Sequence, residues 1–233
     1  MLDELSVFFP AFNEQEQIEN TVVKAKSILE KVVKNWEIII VNDGSKDRTA
    51  EIAAKLVRQD ARIKVVTHNP NQGYGASLRS GLYAAKFPWI AFTDSDGQFD
   101  FSEITNFIHN QKQTGADLVV GYYLKRQVPF YRKANTLLWQ TAVNLLFGLN
   151  IRDIDCGFKL ISKKVIDTIP KLESSRGAFI SSEFLIKAKK SGFKIIEIGV
   201  HHYPRKTGSG TGANLNVIIK SFVDLFRLWK KLR

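Results

Sequence analysis

Glu37-Ile38-Ile39-Ile40-Val41-Asn42-Asp43-Gly44-Ser45 is the stretch on which the fold class turns. A short apolar run rich in β-branched residues reads as a buried strand, and the Asn-Asp-Gly-Ser that follows is turn chemistry opening into a helix over Thr49 to Arg58. The same unit recurs on both sides. Upstream, Leu5-Ser6-Val7-Phe8-Phe9 predicts a strand ending at Pro10. It is followed by a helix over about Gln15 to Val33, with Ile18, Val22, Ala25 and Leu29 on one face at spacings of four, three and four. Downstream, Ile63 to Thr67 is a strand, Ala76 to Ala85 a helix and Trp89-Ile90-Ala91-Phe92 a fourth strand. Regular strand–helix alternation calls for a mainly parallel sheet with right-handed crossovers, so the fold class is α/β.

In such sheets ligands bind beyond the carboxyl ends of the strands. Three polar clusters stand there: Pro10 to Glu14, Asn42 to Ser45, and Thr93-Asp94-Ser95-Asp96-Gly97-Gln98. The topology brings them to one edge although they lie far apart in sequence, and this is the physical argument for a nucleotide site. Asp43 suits hydrogen bonding to a base or ribose, and equally an Asx turn or helix cap. Asn13 fits a helix N-cap with Glu16 as its capping-box partner. Asp94 and Asp96, with the Gln98 amide oxygen beyond, suit a hard divalent cation that keeps positions open for substrate phosphates, and also fit an ordinary strand-end turn. Gly73-Tyr74-Gly75 lacks the third glycine of a dinucleotide fingerprint and is rejected as a NAD site.

After Gln98 the pattern loosens. Phe101 to Gln113 predicts a helix and Asp117 to Gly121 a strand. Leu124 to Lys133 sets Lys125, Arg126, Arg132 and Lys133 beside two aromatics, a loop that fits phosphate clamping or plain solvent exposure. Ala134 to Ile151 runs 18 residues without a charge, but its Asn, Thr and Gln side chains argue for a helix against the sheet or in a membrane interface rather than a span. Asp153-Ile154-Asp155-Cys156-Gly157-Phe158-Lys159 is a second acidic cluster, suited to a general base or to orienting an acceptor, or to a polar turn into the strand Phe158 to Ile161. A helix over Ser181 to Ser191 and a strand over Lys194 to Val200 follow. His201 and His202, adjacent in an extended segment, point to opposite sides and make a poor joint metal site. The glycine-rich run from Tyr203 to Gly212, with Arg205, reads as a phosphate lid or as a linker.

The C-terminal helix, Asn214 to Arg233, is amphipathic. Ile218, Phe222, Leu225, Trp229 and Leu232 form one stripe, opposite Lys220, Asp224, Arg227 and Lys231. A basic polar face over an aromatic one fits a membrane-interface anchor, and equally docking on the core or on a partner subunit.

The composition is that of an ordinary folded protein of 233 residues, with 44% hydrophobic and 24% charged residues. The lone Cys156 excludes an internal disulfide and points to a reducing compartment. Met1-Leu2-Asp3-Glu4 is acidic and shows no secretory signal. The net charge of +11 is uneven: residues 1–100 carry 12 Lys/Arg against 14 Asp/Glu, leaving 22 against 9 for residues 101–233. The second part therefore suits a polyanionic partner: nucleic acid, acidic lipid head groups or phosphorylated substrates.

Taken in order, Phe9-Pro10-Ala11-Phe12-Asn13-Glu14, Val41 to Ser45, Asp94 to Gln98, Asp153 to Lys159 and Tyr203-Pro204-Arg205 resemble the motifs of family 2 glycosyltransferases, nearest the dolichyl- or polyprenyl-phosphate mannose or glucose synthases. The resemblance implies a GT-A fold over residues 1–212, with a nucleotide-binding half (1–98) and an acceptor half (99–212), followed by a basic amphipathic helix over 213–233. It implies that Pro10, Ala11, Glu14 and Asp43 hold the nucleoside, and that Asp94, Asp96 and Gln98 hold Mg²⁺ or Mn²⁺, with Asp94 also at the donor. Arg126, Arg132 and Arg205 would grip the donor diphosphate and the acceptor phosphate, and Asp153 matches the acidic catalytic position better than Asp155. Three departures stand out: Asn42 where the family usually has Asp, Tyr74 in place of a usual Lys, and a C-terminal amphipathic helix where many relatives carry membrane spans.

The expectation is an inverting, metal-dependent transfer from a GDP- or UDP-sugar to a polyprenyl or dolichyl phosphate by a peripheral protein at the cytoplasmic membrane face, held there through residues 214–233. A phosphate acceptor needs Asp153 only to orient it, whereas a sugar hydroxyl needs Asp153 or Asp155 as general base. The rival readings are a soluble transferase acting on a saccharide hydroxyl and a non-catalytic nucleotide or nucleic-acid binding module. Against the latter, no zinc-finger spacing, RNA-binding aromatic signature or helix-turn-helix pattern is present.

Overall fold

The structure, a computed structural model, describes residues 1–125, 130–174, 179–204 and 215–232; for 130–134 and 215–219 it describes the backbone alone. Strands β1 (Leu2–Ala11), β2 (Val33–Asn42), β3 (Ile63–Thr67) and β4 (Trp89–Phe92) alternate with helices α1 (Ile18–Val32), α2 (Thr49–Gln59) and α3 (Tyr74–Ala84). A 3₁₀ turn at Phe101–Glu103 leads into α4 (Ile104–Thr114), then β5 (Leu118–Tyr123), α5 (Phe130–Phe147), β6 (Lys159–Ser162), α6 (Lys163–Thr168), α7 (Phe179–Lys190), β7 (Ile195–Val200) and α8 (Leu215–Lys231).

The described strands form one seven-stranded sheet in the order β3-β2-β1-β4-β6-β5-β7. β1 to β4 are parallel, as the alternation predicts, and β5 pairs parallel with β7. A purely parallel sheet does not result, because β6 runs antiparallel to both β4 and β5. The chain enters β6 from the edge at which β4 and β5 end, so the strand has to run back down. That reversal keeps the acidic turn before β6 at the same edge as the strand ends of the first half.

Successive residues of each strand feed opposite cores, the period-two signature of a sheet covered on both faces. Val7, Phe9, Ile38, Ile40 and Val119 pack with α1, α2 and α4, while Phe8, Ile39, Val41, Leu118 and Val120 pack with α3, α6, α7 and α8. The predicted stripe of α1 is fully buried through Ile18, Val22, Ala25 and Leu29. Its start is later than predicted, because Asn13 does not cap it: Asn13 sits at φ 55 and its Oδ1 accepts from Lys46 N–H. α3 begins two residues early and absorbs Gly75.

α5 spans most of the long uncharged stretch, and among the described residues no helix is long and apolar enough to cross a membrane. α8 docks on the domain through Leu225 and Leu228, which are buried in the second core.

Candidate active site

The first two strand–helix loops are laced together. Asn13 N–H donates to Ser45 Oγ (3.0 Å), Glu14 N–H to Thr49 Oγ1 (2.9 Å) and Gln15 N–H to Asp47 Oδ2 (3.1 Å), while Asp47 Oδ1 takes the Thr49 N–H (3.0 Å) and hydroxyl (2.5 Å). Burial opposes ionisation of Asp47, but these hydrogen bonds outweigh it and hold the carboxyl below its ordinary range. Asp47 was not singled out from sequence; the Asp-x-Thr spacing of an Asx-type helix entry is the signal that finds it.

Asp43 is 3% exposed and its carboxylate faces the next loop. Oδ1 lies 2.7 Å from His68 Nδ1 and accepts from Gln72 N–H (2.8 Å), while Oδ2 accepts from Gly73 N–H (2.8 Å). The other face of His68 meets Ser80 Oγ at 2.8 Å. Gly44, at φ +67, packs so close that a Cβ would stand 2.7 Å from Asn71 N, which is why this turn takes glycine. Asp43 thus sets the loop that starts α3 by long-range bonds, while the local Asx-type contact of this turn is Asn42 Oδ1 accepting from Ser45 N–H at 3.2 Å. Pro10 and Ala11 offer backbone carbonyls: Pro10 O accepts from Ser95 Oγ (2.6 Å) and Ala11 O from Asp43 N–H (2.9 Å). Through Ser95 the end of β1 is tied to the loop after β4.

That loop carries the carboxylate pair. Asp94 Oδ1 accepts from the Tyr74 hydroxyl at 3.0 Å, and Asp96 Oδ1 accepts from Gln98 N–H at 3.0 Å. Burial, reinforced by the Asp94 charge, raises the Tyr74 phenol well above its usual range, so it stays a donor. Gln98 Nε2 donates to Tyr203 O and Gln98 O accepts from Tyr203 N–H, both at 2.9 Å, which joins the loop to the segment leading to Arg205.

On the other side, Asp94 meets the acidic turn of the second half. A Cβ on Gly157 would lie 2.5 Å from Asp94 Oδ2, so only glycine allows this approach. Asp153 is buried in that turn and Asp155 half-buried, with Lys159 beneath them. The structure therefore brings together Pro10, Ala11, Asp43, Asp94, Asp96, Gln98, Asp153 and Asp155 over one sheet edge, with Glu14 at its flank. Arg126 and Arg205 lie outside the described residues, as does the side chain of Arg132. The two histidines diverge as predicted: His201 Nδ1 lies 2.6 Å from Glu103 Oε1, while His202 packs against Phe99 and Tyr123.

Two carboxylates two residues apart on the loop after β4 suit a hard cation. Among the described residues no group of three His, Cys, Asp or Glu side chains converges, so substrate oxygens would complete the shell, the usual manner of Mg²⁺ at phosphates. The donor set fits the group.

The strand ends of β1, β2 and β4, opposed across one edge by the acidic turn before β6, are the arrangement of a GT-A glycosyltransferase, the class to which the family match assigns the chain. Residues 6–169 match the family described as Glycosyl transferase family 2, and the chain belongs to that family. It is similar to the glycosyltransferase AglD of Haloferax volcanii, 28% identical over 87% of this chain but only 33% of that protein. It is also similar to the dolichyl-phosphate beta-glucosyltransferase ALG5A of Trichomonas vaginalis, 28% identical over 96% of this chain and 72% of that protein. In fold it matches glucosyl-3-phosphoglycerate synthase from Mycobacterium tuberculosis, crystallised with Mn²⁺, UDP and glucosyl-3-phosphoglycerate, at a TM-score of 0.68 and 20% identity over 96% of this chain and 80% of that one.

Proposed function

We propose that this glycosyltransferase moves a sugar, with inversion, from a UDP- or GDP-sugar to a polyprenyl phosphate such as dolichyl phosphate, working as a peripheral protein at the cytoplasmic membrane face. The observation that carries the proposal is the contact of Asp94 with Gly157, which sets the donor-side carboxylate against the acidic turn of the acceptor half. The name of the Trichomonas relative supports the lipid acceptor.

Asp94, Asp96 and the Gln98 amide oxygen would hold Mg²⁺ or Mn²⁺, while Gln98 Nε2 braces the loop against Tyr203; the cation, when bound, would offset charge growing on the departing nucleoside diphosphate. Tyr74 orients Asp94 through its hydroxyl. Pro10, Ala11, Glu14 and Asp43 shape the nucleoside pocket, Asp43 by fixing the loop at Gln72 and Gly73. Arg126, Arg132 and Arg205 grip the phosphates. A polyprenyl phosphate is ionised near neutral pH, so Asp153 and Asp155 orient it and no proton need be removed. Inversion follows from a single displacement in which the acceptor oxygen attacks the anomeric carbon opposite the leaving diphosphate.

The deciding experiment supplies labelled UDP- and GDP-sugars, Mn²⁺ and a polyprenyl phosphate to the protein. A lipid-extractable product, lost on Asp94→Asn, is expected; transfer to a saccharide hydroxyl with none to lipid would overturn the acceptor assignment.

A further inference from the structure

Lys159 occupies a position at which a lysine is seldom found. It is 0% exposed as the first residue of β6, in register with Phe92 of β4 on one side and Val120 of β5 on the other. Its ammonium does not reach solvent. Nζ donates to the carbonyls of Ile154 (3.3 Å) and Cys156, the two residues that flank Asp155, and lies 5.4 Å from the centre of the Phe92 ring, two residues before Asp94. Burial pulls its pKa down, while Cys156, Asp155, Asp153 and Asp94 push it back up in that order.

A buried ammonium with no surface exposure costs several kcal/mol of desolvation unless it is matched, and an apolar residue of similar length would fill the same space without that cost. Its retention is accounted for by what it holds. The turn over Asp153 to Cys156 crosses its tip, and the turn's two inward carbonyls have Lys159 as their donor.

We propose that Lys159 is a positioning residue of the transferase site: its ammonium gathers the Ile154 and Cys156 carbonyls and so sets the turn bearing Asp153 and Asp155 against Asp94. The proposal rests on the transfer reaction proposed above, but its geometric part can be read without any acceptor. Cys156, the sole cysteine, is buried in the same turn, and burial pushes its thiol up to about 12. The thiol therefore reports whether the turn is held.

The test uses the full chain with Lys159→Met and Lys159→Arg, each checked for a native circular dichroism spectrum and a cooperative melt. Labelling of Cys156 by a chromogenic disulfide reagent in native buffer, calorimetric binding of Mn²⁺ with UDP or GDP, and transfer to polyprenyl phosphate are measured. For Lys159→Met, Cys156 labelling should accelerate by about tenfold or more and kcat should fall by about tenfold or more, the scale of one lost charged hydrogen-bond set, while the nucleoside diphosphate Kd moves less than about threefold. Lys159→Arg should restore slow labelling and a larger part of kcat than Met.

Labelling as slow as wild type in a folded Met variant, or an unchanged kcat, would overturn the proposal. So would equal loss of nucleotide affinity and kcat, which marks a general structural defect. If Met does not fold, a folded Arg variant with fast labelling overturns it and one with slow labelling sustains it. Absence of transfer by the wild type would instead sink the lipid-acceptor reading, leaving the labelling arm to decide Lys159.

Discussion

The Tyr74 hydroxyl stands 3.0 Å from Asp94 Oδ1, a neutral donor on the first carboxylate of the loop after β4. Tyr74 occupies the place where resemblance to the family leads one to expect a lysine, and here the donor to Asp94 is a neutral hydroxyl. Tyr74→Phe removes that bond and little volume. A hydrogen bond to a carboxylate is worth about 1.5–3 kcal/mol, so kcat/KM should fall by roughly ten- to a hundredfold with the melting temperature nearly unchanged. Steady-state kinetics at saturating Mn²⁺ checks this, and a loss confined to thermal stability would count against an orienting role.

Gly157→Ala probes the contact between the two halves directly. Gly157 does not need a left-handed backbone, so the only penalty is the Cβ that would stand 2.5 Å from Asp94 Oδ2 and 3.0 Å from its Cγ. Overpacking of this kind costs about 1–3 kcal/mol, and here the carboxylate has to yield. Metal-dependent activity should drop by about tenfold or more, and the half-saturating Mn²⁺ concentration should rise, which a metal titration reads. Wild-type kinetics in the alanine variant would show that Asp94 is not held where the reaction needs it.

Metal removal follows from the same loop. EDTA should abolish transfer, and Mn²⁺ or Mg²⁺ should restore it, because the proposed ligands Asp94, Asp96 and Gln98 all follow β4 on one loop. Asp94→Asn or Asp96→Asn should leave about a hundredth of the activity or less, in keeping with loss of a group that offsets leaving-group charge. Activity that survives both chelation and substitution would remove the metal from the mechanism.

The strand ends were legible because each is written twice, once as a β-branched or aromatic run and once as the turn residues that stop it; Ile38 to Asn42 and Trp89 to Thr93 are cases in point. The direction of β6 was not legible. Four residues, Lys159 to Ser162, carry no signal of which way they run, and only their neighbours β4 and β5 settle it. The carboxylates Asp94, Asp96 and Asp153 could be picked out as residue types. Their supports could not, since Asp47 and Tyr74 act through contacts with loops 32 and 20 residues away and Lys159 through backbone carbonyls, which periodicity does not encode. A charge inside the apolar run Phe158 to Ile161 was the visible trace of Lys159.

Glu37 supplies a pH prediction remote from the chemistry. Its buried carboxylate accepts from Ser6 Oγ (2.6 Å), Lys64 Nζ (2.7 Å) and Lys86 N–H (3.0 Å). Burial alone would raise its pKa, but the three donors together hold it below the ordinary 4.5. A carboxyl depressed in the folded state stabilises fully above its unfolded value and loses that stabilisation as pH falls through the folded one. Glu37→Gln should therefore lower the melting temperature most near neutral pH, and the gap to wild type should close as pH drops below 4.5. A gap that widens in acid would mean the carboxyl is not held ionised by these donors.

Membrane contact is the last consequence, and the docking of α8 changes what should carry it. Leu225 and Leu228 are buried against the domain, so the helix's main apolar stripe is already spent on packing. Among the described residues, the large apolar side chains left exposed on these helices are Val223 and Phe226 on α8 and Leu137 (65% exposed), Leu138 and Leu145 (84%) on the neighbouring α5, with exposed Lys230 over the Phe226 ring and Arg227 beside it. Such residues beside cations suit the boundary between anionic head groups and acyl chains. Burying one large apolar side chain is worth about 1.5–3 kcal/mol, so Leu138→Asp with Phe226→Asp should weaken co-sedimentation with phosphatidylglycerol vesicles by about a hundredfold, whereas Leu225→Ala should cost stability first. Raising salt should weaken wild-type binding further, because the cationic share is screened. Vesicle binding that is indifferent to the paired aspartates would assign attachment elsewhere on the chain, while unaltered binding at high salt would leave the basic residues of α8 without a part in it.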